Sequence, residues 1–239
     1  MAKNINVSRQ NVAHTSITKN KKNKGVNLKK TQIEFNIKLS EEQKEAKSEL
    51  LQNDVIVIFG KAGSGKTLVS VQSALDALLS SKIEHIYITR PTVSKEDIGF
   101  LPGGLKDKMD PWLAPIYHNM FMVYGKTQIE KLLSNNTIEI APISFMRGIT
   151  YVNSYVLIDE CQNITKDQIE MIITRIGEGS KMIFTGDSSQ IDLKRNSDSG
   201  LNYLLKLGEG IEGFTTYELK ENHRHPIVDR FINKMSEMG

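Results

Sequence analysis

The stretch Gly60-Lys61-Ala62-Gly63-Ser64-Gly65-Lys66-Thr67 constrains this chain more than any other. It follows a short apolar run at residues 54–59 (Asp-Val-Ile-Val-Ile-Phe). It precedes a segment in which Leu68, Val71, Leu75, Leu78 and Leu79 recur at helical spacing. Strand, glycine turn and helix are the context in which the pattern G-x-x-x-x-G-K-[ST] cradles phosphate. The glycines let successive backbone N–H groups converge, and the helix N-terminus adds its partial positive charge. Lys66 is then placed to reach the β- and γ-phosphates of a triphosphate, and the Thr67 hydroxyl to ligate Mg2+.

The rest of the chain alternates in the same way. Apolar runs at 86–88, 138–141, 155–158 and 182–184 read as buried strands, with a last strand at 214–219. Ser40 with Gln43, and Thr165 with Gln168, are capping-box patterns that open helices. Ile164 and Ile169 form a hydrophobic staple on the second of these. That helix carries Ile169, Ile172, Ile173 and Ile176, and Gly177 or Gly179 is the expected stop. Ile227, Val228, Phe231 and Met235 mark a closing amphipathic helix. Short strands alternating with helices predict an α/β fold with a mostly parallel sheet.

Charge divides the chain. Residues 1–38 carry nine Lys and Arg against one acid, Glu34, so the overall +3 leaves a mildly acidic body. Residues 1–37 lack periodicity and are expected to form a basic disordered arm, either binding polyanions or solubilising. Residues 38–239 form the expected folded domain. With 239 residues and 39% hydrophobic content, the body can bury a core unaided. No apolar run reaches the ~18 to 20 residues of a membrane helix. The N-terminus lacks the apolar stretch of a secretory signal, and Cys161 is a lone cysteine. No membrane association and a cytoplasmic location are expected.

Two further motifs bear on the phosphate site. Val156-Leu157-Ile158-Asp159-Glu160 is an apolar strand ending in adjacent carboxylates, where ligands of open α/β sheets bind. Asp159 is placed to hold Mg2+ and Glu160 to polarise the attacking water. Thr185-Gly186-Asp187-Ser188-Ser189-Gln190 ends the next strand. There Gln190 is either a sensor of the γ-phosphate or part of a polar turn.

With these motifs in order, the chain resembles the PhoH-like family of P-loop ATPases, itself similar to the first motor domain of superfamily-one helicases. The resemblance also rests on Glu42-Gln43-Lys44, Ile88-Thr89-Arg90-Pro91 and Ile98-Gly99-Phe100-Leu101-Pro102-Gly103. Asp110-Pro111-Trp112, Met146-Arg147-Gly148-Ile149-Thr150, Asp159-Glu160-Cys161-Gln162-Asn163 and Arg224-His225-Pro226 complete it. It covers about residues 39–235. Cys161 stands where the family usually has alanine, and Ile149 where a polar or basic residue is expected.

The resemblance implies a RecA-like P-loop NTPase, a three-layer αβα sandwich. It implies ATP and Mg2+ as cofactors and hydrolysis coupled to remodelling of RNA or single-stranded DNA. By this likeness Gln43 reads the adenine edge, with the helix cap as the competing role. Arg224 neutralises transition-state charge, with an ordinary surface arginine as the alternative. Arg90 contacts a nucleic-acid backbone. Pro226 in the first turn of the last helix leaves Arg224 on an exposed loop, suited to a neighbouring subunit's site. Only one motor lobe fits in this length, so a homo-oligomeric ring is expected, a hexamer among the closed forms. Trp112 either stacks on a base or caps a core. His223 and His225 are not read as a metal site. The arm has too few acids for a nuclease. Two other classes stay open: a nucleotide-gated binding module with slow incidental turnover, and a small-molecule P-loop kinase. Adjacent Asp159 and Glu160 favour water over a kinase acceptor as the nucleophile.

Overall fold

The computed structural model describes residues 35–91, 105–190 and 199–238. The arm up to residue 34, the 98–103 motif and the side chain of Trp112 lie outside the described residues.

Six strands, β1 (Val55–Gly60), β2 (His85–Thr89), β3 (Ile138–Ile140), β4 (Ser154–Ile158), β5 (Lys181–Gly186) and β6 (Phe214–Leu219), form one sheet in the order β3-β2-β4-β5-β1-β6. Every pairing is parallel. The apolar runs explain this: β4 is buried at all five positions, as strands covered on both faces must be. The three-residue β3 and the half-exposed β6 close the edges.

Alternate side chains point to opposite faces and build two cores. On one face Ile56, Ile58, Ile86, Ile88, Leu157 and Ile183 pack under α1 (Glu41–Gln52), α2 (Lys66–Leu79), α3 (Leu105–Tyr124) and α4 (Lys126–Ser134). On the other, Val57, Val156, Ile158, Met182 and Phe184 pack under α5 (Lys166–Ile173) and α6 (Gly200–Leu207). This is the three-layer αβα sandwich of a RecA-like P-loop NTPase. A last helix, α7 (Pro226–Met238), leaves Phe231, Met235 and Met238 60%, 66% and 78% exposed.

The described body begins at Phe35, which packs against the first core, and the Asn36 N–H donates to the Val123 carbonyl. Both capping boxes form: Ser40 with Gln43 opens α1 and Thr165 with Gln168 opens α5. Ile164 and Ile169 are fully buried together. The end of α5 differs from expectation. It stops at Ile173, ahead of both glycines, because Ile176 leaves the helix to bridge Tyr151. The Thr174 hydroxyl caps the freed carbonyls of Glu170 and Met171.

Candidate nucleotide site

Register brings the chemistry to one edge. Ile58 lies beside Thr185, Gly60 beside Leu219, Ile158 beside Phe184 and Thr89 beside Ile158. The loops leaving β1, β4, β5, β6 and β2 therefore emerge side by side at the carboxyl end of the sheet, where open α/β sheets bind ligands.

The loop after β1 turns through Gly63 and Gly65, and Gly65 takes a left-handed conformation (φ 86°) as the N-cap of α2. A side chain at Gly65 would also meet the Gln43 amide at 2.4 Å. Ser64 is buried, and its hydroxyl has no partner among the described residues. Lys66 Nζ folds back onto the loop, donating to the Gly60 and Lys61 carbonyls at 2.7 and 3.1 Å. Burial lowers the Lys66 pKa, and the nearby Arg224 charge lowers it further. Asp187, Glu160 and Asp159 act in the opposite sense. Lys61 and Ala62 complete the rim, Lys61 exposed.

Asp159 faces this loop directly. Its Oδ1 accepts the Thr67 hydroxyl at 3.0 Å, and Thr185 of β5 donates to the same oxygen. Two hard oxygen ligands thus converge beside the glycine loop, a donor set that fits Mg2+ on a phosphate. Glu160 has left-handed backbone (φ 55°) and turns its carboxylate sideways. Its Oε2 accepts Gln162 Nε2 at 2.6 Å, and its Oε1 lies 3.3 Å from Arg90 Nη2. Arg90 Nη1 is 3.9 Å from Asp159 Oδ2. Arg90, expected to face nucleic acid, thus lies against both carboxylates.

The loop after β6 covers the cradle. Glu42 receives the Lys220 and Glu221 N–H groups at 2.7 and 2.9 Å, and the His223 N–H donates to the Gly63 carbonyl. The Arg224 side chain crosses Gly63 so closely that a methyl group there would lie 2.6 Å from its Cγ. The backbone bonds of residues 220–223 set the exposed Arg224 beside its own phosphate loop. His225 Nδ1 accepts the Ile227 N–H at the start of α7.

Gln43 is 3% exposed and engaged at both ends. Its Oε1 accepts the Ser40 N–H, and its Nε2 donates to the Ser64 carbonyl at 3.1 Å. It caps α1 and braces the phosphate loop at once. Gln190 is exposed beyond β5, its N–H bonded to the Asp187 carbonyl.

Four participants escaped the sequence reading: Thr185, Gln162, Asp187 and the pairing role of Arg90. Gln162 ties β4 to β5, with its Oε1 accepting the Asp187 N–H at 3.1 Å. Asp187 is 3% exposed with one oxygen unpartnered among the described residues, and among the acids it raises the Lys66 pKa most. The signal lay in neighbouring motif letters, but only strand order makes these residues adjacent.

Fold and site together define a RecA-like P-loop NTPase domain. A model of the PhoH-like protein family matches residues 37–236, and the chain belongs to that family. It is 42% identical over 219 residues to a PhoH-like protein of Bacillus subtilis, covering 90% of this chain and 66% of that one. It is 36% identical over 187 residues to Protein PhoH of Escherichia coli K12, covering 76% and 53%. The chain thus spans between about half and two thirds of the length of these relatives. Among solved structures it is similar in fold to the large terminase of a thermophilic bacteriophage. One such structure has a TM-score of 0.54, and another, in complex with ADP, 0.51. Each is 14% identical and covers 83% of this chain and 50% of that one.

Proposed function

We propose that this chain is a Mg2+-dependent ATPase whose turnover is coupled to remodelling of RNA or single-stranded nucleic acid, working as a cytoplasmic homo-oligomer. The observation that carries the ATPase reading is the 3.0 Å contact between the Thr67 hydroxyl and Asp159 at the mouth of the glycine loop. Mg2+ bound there would neutralise phosphate charge and align the γ-phosphoryl group. Lys66 leaves the loop carbonyls for the β- and γ-phosphates. Glu160 accepts a proton from the attacking water. Arg224, already over Gly63, offsets charge developing on the phosphoryl oxygens, a contribution of roughly 10³ to 10⁵ in rate for such arginines. Gln190 reports on the γ-phosphate from the end of β5. A terminase of like fold has been solved in complex with ADP, which supports a nucleotide as the ligand. The exposed apolar residues of α7 support self-association.

A second reading draws on one observation. Both Glu160 oxygens are engaged, as in a nucleotide-gated module that turns over slowly. Phosphate release with and without single-stranded RNA and DNA, at low and high salt, separates the readings. The coupled ATPase accelerates with nucleic acid and loses that acceleration as salt rises. The gated module is slow and indifferent. Lys66→Ala should weaken ATP binding, and Glu160→Gln should keep binding while stopping release. A Glu160→Gln variant with normal turnover would remove Glu160 from the mechanism. Light scattering tests assembly: full activity from a strict monomer would rule out the oligomer.

A further inference from the structure

We infer that Arg90 is a brake on hydrolysis, and that a nucleic-acid phosphate releases it by drawing the guanidinium away from Glu160. The inference deepens the coupling proposed above and rests on it. A general base needs an oxygen free to accept a proton from water. Both Glu160 oxygens already hold a donor: Oε2 takes the Gln162 amide at 2.6 Å, and Oε1 lies in the ion pair with Arg90 at 3.3 Å, where water must compete with the guanidinium.

The two contacts differ in how readily they can change. Gln162 is 1% exposed, and its other end is fixed by the Asp187 N–H, so it is part of the frame. Arg90 leaves the end of β2 with 23% of its side chain open to solvent. Its second nitrogen is 3.9 Å from Asp159, beyond hydrogen-bond reach. Of these two partners of Glu160, it is the one that an incoming ligand can capture. The Glu160 backbone, held left-handed between β4 and the turn at Cys161–Asn163, fixes the carboxylate base, so removing Arg90 frees Oε1 without moving Cα.

The chemistry selects the ligand. A guanidinium shared loosely between two carboxylates exchanges readily for a phosphate diester, whose paired oxygens accept both N–H groups of the fork. The same arginine would then contact the strand and release the base, linking occupancy to turnover through one side chain. Arg90 is a positioning residue here, since it touches the base and not the reacting atoms.

The test is steady-state phosphate release by wild type, Arg90→Ala and Arg90→Lys, with oligouridylate, with oligothymidylate and with neither. Binding of a fluorescent ATP analogue and thermal melting report on the fold and the site. The wild type should be slow alone and faster with oligonucleotide. Arg90→Ala should raise kcat without oligonucleotide by up to roughly fivefold, the upper end of what a partly exposed ion pair spans, with KM for ATP unchanged. It should respond little to either strand and bind both more weakly. Arg90→Lys, which keeps the charge without the fork, should fall between. An Arg90→Ala variant that is slow alone and still stimulated overturns the brake and leaves the coupling intact. A wild type indifferent to both strands, with Arg90→Ala fast, overturns nucleic acid as the releasing ligand and the coupling with it. An Arg90→Ala variant that binds the ATP analogue yet hydrolyses no faster under any condition overturns the inference.

Discussion

Asp159 Oδ1 is shared by two hydroxyls, one from the phosphate loop and one from β5. The Thr185 hydroxyl only orients the carboxylate, so its loss should act through the metal. Thr185→Val is expected to shift the Mg2+ dependence of phosphate release about tenfold upward, as loss of an outer partner does, with turnover restored at saturating Mg2+. A metal titration checks this, and an unchanged midpoint would place Thr185 outside the site. Cys161 makes a contrasting case. It is fully buried directly after the acids, and burial together with Asp159 and Glu160 pushes its thiol pKa upward. Thiolate is the reactive form. The folded protein should therefore resist thiol reagents at neutral pH and react only on denaturation, which a timed thiol assay reads directly. At this scale the sequence shows which residues can do chemistry and which local caps they form, such as Ser40 with Gln43. It does not show the distant contacts of Arg90 with Glu160 and of Gln43 with the Ser64 carbonyl. Periodicity carries no information about contacts between strands far apart in the chain.

Among the elements, the two capping boxes offer a controlled comparison. Each satisfies helix-end donors reciprocally, and replacing such a cap by alanine costs about 1 kcal/mol. Ser40→Ala and Thr165→Ala should thus lower the melting temperature by similar amounts. Only the α1 box touches the nucleotide loop. Gln43→Ala should cost more than Ser40→Ala, because it also strands the buried Ser64 carbonyl, and it should weaken ATP binding. Thr165→Ala should leave ATP affinity unaltered. Calorimetric melting and nucleotide titration of the three variants distinguish bracing from simple capping. The elements are largely legible in the sequence: the strand at 214–219, both boxes and the staple stand as read, because each depends on residues within a few positions of one another. The stop of α5 is not, since Ile176 is claimed by Tyr151, far earlier in the chain.

For the molecule as a whole, α7 is the element least accounted for by either core. Phe231 and Met235 face outward, so Phe231→Ser should change the melting temperature of the dilute protein little. The same substitution should reduce the mass measured by light scattering if α7 serves assembly; an unchanged assembly would direct attention to other faces. The sheet order has a consequence during synthesis. β1 is the first of the six strands to be made, yet its neighbours on both sides, β5 and β6, are the last of the six. A chain still on the ribosome therefore carries Val-Ile-Val-Ile-Phe with both strand edges bare until residues 181–219 emerge. The delay invites chaperones, or aggregation where they are scarce. The phosphate grip is thus translated ahead of most of the sheet and is among the latest parts to become competent.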